Sequence, residues 1–171
     1  MNFAIIIQAR TGSRRFPKKI LAKIDRRNVL EFFIDRLLQT FSKNKIIIAT
    51  TKFKRDNIVC NISKKKKIKF YRGPEKNVLK RFLNCAIKFN VKNIARVTPD
   101  CPLVDPRLLQ SMKKQFFIRK LDYLANTNPP KKSKFPDGSD IEIFKFRSLQ
   151  KIYRLSKNKD DREHVTHLFW K

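Results

Sequence analysis

Acidic residues are scarce in this chain of 171 residues: 14 Asp and Glu stand against 42 Lys and Arg, for a formal net charge of +28. That balance argues against cationic partners and is compatible with a polyanion such as a nucleotide or a nucleic acid. The lysines are spread along the chain rather than grouped on one helix, so a lysine-rich composition with abundant Asn, Ile and Phe explains the charge more simply. Glycine is rarer still, at three residues, so each is expected to mark a backbone requirement. The repeated glycines of a dinucleotide fingerprint are missing, as is any Gly-Lys-Ser/Thr of a Walker A loop, which disfavours nicotinamide enzymes and P-loop ATPases. Three cysteines, Cys60, Cys85 and Cys101, are odd in number and lack CxxC spacing, which argues against a disulfide framework and for a reducing compartment. Two histidines, both late in the chain, make no His-rich zinc site. No apolar run reaches transmembrane length, and the N-terminal one is too short, and too soon followed by Arg10, to be a signal peptide. A cytoplasmic protein without a membrane partner is expected.

What is present is an alternation of strands and helices. At 41% apolar residues with 15 Phe, the chain has enough material for a substantial core and is read as one domain over 1–171. Phe3–Gln8, Ile46–Ala49, Ile68–Tyr71, Ile94–Val97 and Asp122–Ala125 read as strands. Val29, Leu30, Phe33, Ile34, Leu37, Leu38 and Phe41 recur at helical spacing behind a candidate N-cap, Asn28, and Val78 to Ile87 form a second such stripe. Shorter helices are expected over Asp56–Ile62, from Leu108 onward, over Ser148–Leu155 and over Asp160–Phe169. Asn126–Gly138 is a long loop, and Ser139–Phe146 alternates as a strand with Asp140 and Glu142 on one side. This order predicts an α/β protein with a mostly parallel sheet covered on both faces, and ligands at the carboxyl ends of the strands. That rim holds Gln8–Lys19, Thr50-Thr51, Arg72-Gly73 and Thr98–Cys101.

Three groups on the rim carry chemistry. The loop after the first strand, Gln8-Ala9-Arg10-Thr11-Gly12-Ser13-Arg14-Arg15-Phe16-Pro17-Lys18-Lys19, offers a glycine, backbone amides and the cations Arg10, Arg15, Lys18 and Lys19 to a polyphosphate. Asp100 follows a buried strand between two prolines, where a carboxylate can fix Mg²⁺ together with substrate oxygens, or simply form a turn. Asp137, Asp140 and Glu142 are three acids in a short span of an acid-poor chain, candidates for binding an acceptor or a metal.

The loop Ile6–Leu21 resembles the start of cytidylyltransferases of the spore coat polysaccharide biosynthesis protein F type, relatives of the CMP-Kdo and CMP-sialate synthetases. The similarity continues in order through Ala49-Thr50-Thr51, Tyr71-Arg72-Gly73, Val78-Leu79-Lys80-Arg81-Phe82, Arg96-Val97-Thr98-Pro99-Asp100-Cys101-Pro102, Pro136–Phe144 and Arg162-Glu163-His164-Val165-Thr166. It implies a Rossmann-like, three-layer α/β/α nucleotide-diphospho-sugar transferase fold. It also implies CTP as donor, Mg²⁺ as cofactor, a sugar acid or sugar phosphate as acceptor, and release of pyrophosphate for surface polysaccharide synthesis. By that resemblance Arg10, Arg15 and Lys19 hold the CTP phosphates and Asp100 binds Mg²⁺, with Arg15, Lys19 and Asp100 as the catalytic group; Asp140 as a second metal contact, and Asp137, Asp140 and Glu142 toward the acceptor, stand on the reading of the residues alone. Gln8, Ala9, Arg10, Gly12, Ser13 and Thr50 would surround the nucleotide, with Arg72 and Gly73 near the base.

The chain departs from the pattern in three places. Lys18 and Pro99 stand where the family usually has Gly, and the sequence stops at Trp170-Lys171, before a later strand on which the family carries a second metal ligand. It is therefore read as lacking that C-terminal segment, with a nucleotide-binding homologue that does not turn over as one alternative and a basic nucleic-acid-binding domain as another. The apolar end His167-Leu168-Phe169-Trp170 leaves a homodimer open.

Overall fold

Six strands form one mixed sheet, and its central strands are apolar runs too uniformly buried to face water. The computed structural model describes residues 1–12, 16–102, 104–127, 133–136 and 138–170. In chain order the strands are β1 (Phe3–Gln8), the short pair β2 (Lys23–Ile24) and β3 (Arg27–Asn28), β4 (Ile46–Thr51), β5 (Lys69–Gly73), β6 (Asn93–Val97), β7 (Tyr123–Ala125) and β8 (Glu142–Lys145). The helices are α1 (Val29–Leu38), α2 (Asn57–Lys65), α3 (Val78–Lys88), α4 (Pro106–Ile118), α5 (Phe146–Leu155) and α6 (Lys159–Glu163). The main sheet has the order β5-β4-β1-β6-β8-β7; β5, β4, β1 and β6 run parallel, and β8 is antiparallel to both neighbours.

Period-two alternation along each central strand divides the core in two. Ile5, Ile7, Ile46, Ile48, Ala95 and Val97 pack against α1, α2 and α4 on one face, while Ala4, Ile6, Ile47, Ala49 and Ile94 pack against α3 and α5 on the other. The helix starts are set by side chains. Asn28 and Glu31 close a capping box on α1, Asp105 accepts from the Arg107 amide at 2.8 Å with Pro106 as the first helical residue of α4, and Asn158 and Asp161 form a second box on α6.

Two expectations change, and one element was not expected. The strand expected over Ser139–Phe146 contracts to β8, because α5 already begins at Phe146. The helix expected over Asp160–Phe169 splits into α6 and a single 3₁₀ turn, His167–Phe169. The β2–β3 hairpin, two residues per strand, has no apolar alternation that a sequence could announce.

Candidate active site

The parallel strands end on a common rim, and there the loop after β1 is tied down by one carboxylate from far along the chain. Asp56, fully buried ahead of α2, accepts the Thr11 amide at 2.7 Å and the Thr11 hydroxyl at 2.8 Å, and its other oxygen takes the Thr51 hydroxyl at the end of β4. The Thr11 carbonyl in turn accepts the Lys18 amide at 3.0 Å, closing the loop back on itself. Gly12 sits inside this turn for want of room. A Cβ there would lie 2.9 Å from a Glu75 carboxylate oxygen and 3.0 Å from the Arg55 guanidinium. Glu75 binds Arg55 directly and stands 3.7 Å from Arg10. Arg81, fully buried on α3, supports Glu75 from below by donating to the carbonyls of Pro74 (2.7 Å) and Glu75 (3.4 Å). Burial, then the nearby Arg10 charge, lowers the Arg81 guanidinium to about 10, so it remains a cation at neutral pH.

At the other end of the loop Lys19 donates to Asp100 at 2.5 Å. Burial pushes the Asp100 carboxyl up, but the hydrogen bonds from Lys19 and Thr98 and the Lys19 charge outweigh it, and the net shift is downward. Asp100 is therefore an anion at neutral pH. Lys18, one residue earlier, has φ 56° and ψ 22°, in the left-handed region. A residue with a Cβ is strained in that region, which glycine adopts freely. Relief of ~1–2 kcal/mol of left-handed strain, less ~0.5–1 kcal/mol for the freer unfolded chain, gives Lys18→Gly a net gain. Its melting temperature should rise by roughly 1–4 °C in a thermal scan, whereas Lys18→Ala, which removes the same charge without the relief, should not gain.

Together these groups line a cleft of about 1500 Å³, bordered by Gln8, Arg10, Gly12, Lys18, Lys19, Glu75, Arg96, Thr98 and Asp100, and by Lys159, Glu163 and His164 at the α6 end. That exceeds the ~300–1,000 Å³ of an ordinary small-molecule pocket and leaves space for a nucleoside triphosphate and a second substrate. Among the described residues no three His, Cys, Asp or Glu side chains converge as a ready-made metal cage. A hard cation such as Mg²⁺ still fits at Asp100, since it is commonly held by one or two carboxylates with substrate phosphates and water supplying the rest.

The other expected site residues divide. Gln8, Arg10, Gly12, Lys19 and Asp100 share the cleft. Ala9 is buried against the sheet and its amide is spent on the Ala49 carbonyl at 3.2 Å, so it offers no free amide to a nucleotide. Thr50 is fully buried, alternating with Ile46 and Ile48 toward α1 and α2, away from the cleft lining. Arg72 donates to the carbonyls of Thr51 and Phe53, both at 2.9 Å, so its guanidinium braces the turn after β4 instead of lining the cleft. Gly73 is tightly enclosed, with a Cβ there falling 2.8 Å from both Arg81 Cγ and the Tyr71 ring. Asp140 does not join Asp100: one oxygen accepts the Thr127 hydroxyl at 2.6 Å and the other the Cys101 thiol at 3.4 Å. That thiol, pushed up to about 11 mainly by burial, remains protonated. Glu142 is 1% exposed and pairs with Arg96 and the Tyr123 hydroxyl, a buried support rather than a rim group. Ser13, Arg15 and Asp137 lie outside the described residues.

Sequence reasoning missed Asp56, Glu75, Arg96 and the residues at the α6 end as parts of the site. Arg96 had a signal: a cation inside the apolar strand Ile94-Ala95-Arg96-Val97 requires a buried partner or a ligand. Asp56 had none, because its Thr11 partner lies 45 residues away.

The family model described as cytidylyltransferase matches residues 4–169. An uncharacterized protein of Methanocaldococcus jannaschii is 35% identical over 166 residues, 97% of this chain and 66% of the relative. The spore coat polysaccharide biosynthesis protein SpsF of Bacillus subtilis is 32% identical over 96% of this chain and 68% of its own length. The chain thus spans about two thirds of each of these relatives. A solved cytidylyltransferase structure from Leptospira borgpetersenii superposes with a TM-score of 0.92 at 31% identity, covering 98% of this chain and 70% of that one.

Proposed function

The chain belongs to the cytidylyltransferase family, a group of nucleotidyltransferases, and from that premise we propose that it transfers CMP from CTP to a sugar acid or a sugar or polyol phosphate. An acceptor oxygen attacks the α-phosphorus, a new P–O bond forms, and the bond to the β-phosphate oxygen breaks to release pyrophosphate. The observation that carries this reading is the Lys19–Asp100 pair, an anion and a cation in contact at the end of a loop whose remaining charges are basic.

In this reaction the protein's contribution is positioning and charge neutralisation. Arg10 and Lys19 sit where a triphosphate tail laid along the loop is countered, and Lys19 is placed to meet the negative charge that develops on the leaving pyrophosphate. Asp100 would hold Mg²⁺, which when bound neutralises phosphate oxygens. With Mg²⁺ held at Asp100, Lys19 would be available to pair with phosphate oxygens instead. A phosphate acceptor brings a ready nucleophile, whereas the hydroxyl of a sugar acid must also lose a proton. The name of the Bacillus relative supports a role in surface polysaccharide assembly, and a cytoplasmic setting suits a CTP-using reaction. No helix among the described residues is long and apolar enough to cross a membrane.

The test is pyrophosphate release with each of the four nucleoside triphosphates against a panel of sugar acids and sugar phosphates. The expected result is release that requires both CTP and one class of acceptor. Equal turnover of all four nucleotides, or a rise in melting temperature with CTP but no product from any acceptor, would overturn the transferase reading.

A further inference from the structure

Arg96 is a cation of the cleft that the phosphate-binding loop does not supply. It rises from β6, four residues before Asp100, and shares a strand face with Thr98. Its position is fixed from two sides: one terminal nitrogen pairs with Glu142 across the β6–β8 ladder, and the other reaches the Gln8 carboxamide at 3.5 Å. Glu142 is itself fixed by the Tyr123 hydroxyl at 2.8 Å. The 3.5 Å contact is longer than a well-formed hydrogen bond, so this nitrogen has capacity to spare for a ligand. Its Nε has no hydrogen-bond partner among the described residues. Carrying such a guanidinium to the floor of a cleft costs more than an apolar side chain there would, since buried charge must be paired and hydrogen-bonded to be tolerated. The same cleft is bordered at the α6 end by Lys159 and His164, with Glu163 between them in sequence, none of them part of the phosphate loop either.

We propose that Arg96, with Lys159 and His164, forms the subsite for the anionic group of the acceptor, a carboxylate or a phosphate. The proposal rests on the transferase reading given above and adds to it which side chains select the second substrate. It also moves acceptor recognition from Asp140 and Glu142 to a cation that Glu142 holds. Carboxylates and phosphates both match the fork of a guanidinium. Arg96 is held by Glu142 on one side and Gln8 on the other and is less exposed, at 19%, than Arg10 at 28% or Lys19 at 29%, as suits a group that discriminates.

The test uses the full chain and the double variant Arg96→Met/Glu142→Gln, which removes the pair without stranding a buried charge. A second variant, Lys159→Ala, probes the α6 wall without touching the sheet. Calorimetry on the CTP-loaded protein uses gluconate and glucuronate as carboxylate probes, glucose 1-phosphate and inorganic phosphate as phosphate probes, and glucose as an uncharged control. Wild-type protein is expected to bind one anionic class and not glucose. The double variant should bind that class at least roughly tenfold more weakly, the loss expected for one charge-assisted hydrogen bond, with CTP affinity unchanged. Lys159→Ala should weaken the same class by a smaller factor. Unchanged probe binding in the double variant overturns the proposal, as does the absence of binding by any anionic probe to the wild type. A fall in CTP affinity assigns Arg96 to the nucleotide instead and equally overturns it. Because these are binding measurements, a protein that binds the anionic class through Arg96 yet releases no pyrophosphate refutes the transferase reading while leaving the subsite standing.

Discussion

Replacing Asp100 by asparagine should reduce Mg²⁺-dependent pyrophosphate release by at least about a hundredfold, the scale seen when one electrostatic element of an active site is removed, with the fold intact. The substitution keeps the shape of the side chain and its place beside Lys19 but deletes the negative charge. That charge is fully present at neutral pH because the Asp100 carboxyl sits below its ordinary 3.8, burial being outweighed by Lys19 and Thr98. A carboxyl lowered in the folded state contributes stability above its unfolded pKa and loses it as pH falls through the lower folded value. The stability difference between the wild type and Asp100→Asn should therefore be constant at neutral pH and shrink only in strong acid. The measurements are turnover as a function of Mg²⁺, and melting temperature as a function of pH. Turnover equal to wild type would remove Asp100 from the mechanism.

Asp56→Ala should be the most destabilising single change near the site. The carboxylate is fully buried and accepts three donors, the Thr11 amide and the hydroxyls of Thr11 and Thr51. Its loss strands a buried amide and leaves two hydroxyls to find new partners, at ~1–3 kcal/mol for each group left unsatisfied. A total of about 3–5 kcal/mol corresponds to a fall in melting temperature of roughly 10 °C or more in a chain of this size. The functional effect runs through the loop. Without Asp56, the turn from Thr11 to Lys18 loses its anchor to α2 and β4, and Lys19 loses the position that brings it to Asp100. CTP affinity should fall in proportion more than general stability accounts for, measurable at a temperature where the variant is still folded. Normal stability in chemical denaturation would show that the loop is held by its own turns alone.

The sheet was legible where burial is symmetrical. β1, β4 and β6 have helices on both faces, so their side chains are mostly apolar regardless of direction, and α1 and α3 show their buried stripes at helical spacing. β8 was not legible in the same way. Alternation groups Asp140 with Glu142, but it cannot say that Glu142 meets Arg96 inside the sheet while Asp140 is already occupied by Thr127 and Cys101. A buried carboxylate declares itself only once its partner is known. Ala9 and Thr50 show a simpler limit. Lying at a rim does not place a side chain in the cleft: both point into the core on the α1, α2 and α4 side and neither lines the cleft. Lys18 is a third case. The sequence shows a lysine where the resemblance expects glycine, but only the backbone shows that the position is left-handed, a conformation no propensity scale would assign to lysine.

Because β8 runs against its neighbours while β7 runs with the parallel set, the chain leaves the sheet after β7 and returns to it at β8 at the same end of the sheet. The connection between them can therefore lengthen, shorten or change composition without altering the pairing of either strand, at a closure cost of only about 0.6 kcal/mol per doubling of length. Evolution has a free variable there, one that leaves the parallel strands and the loops at their ends unaltered.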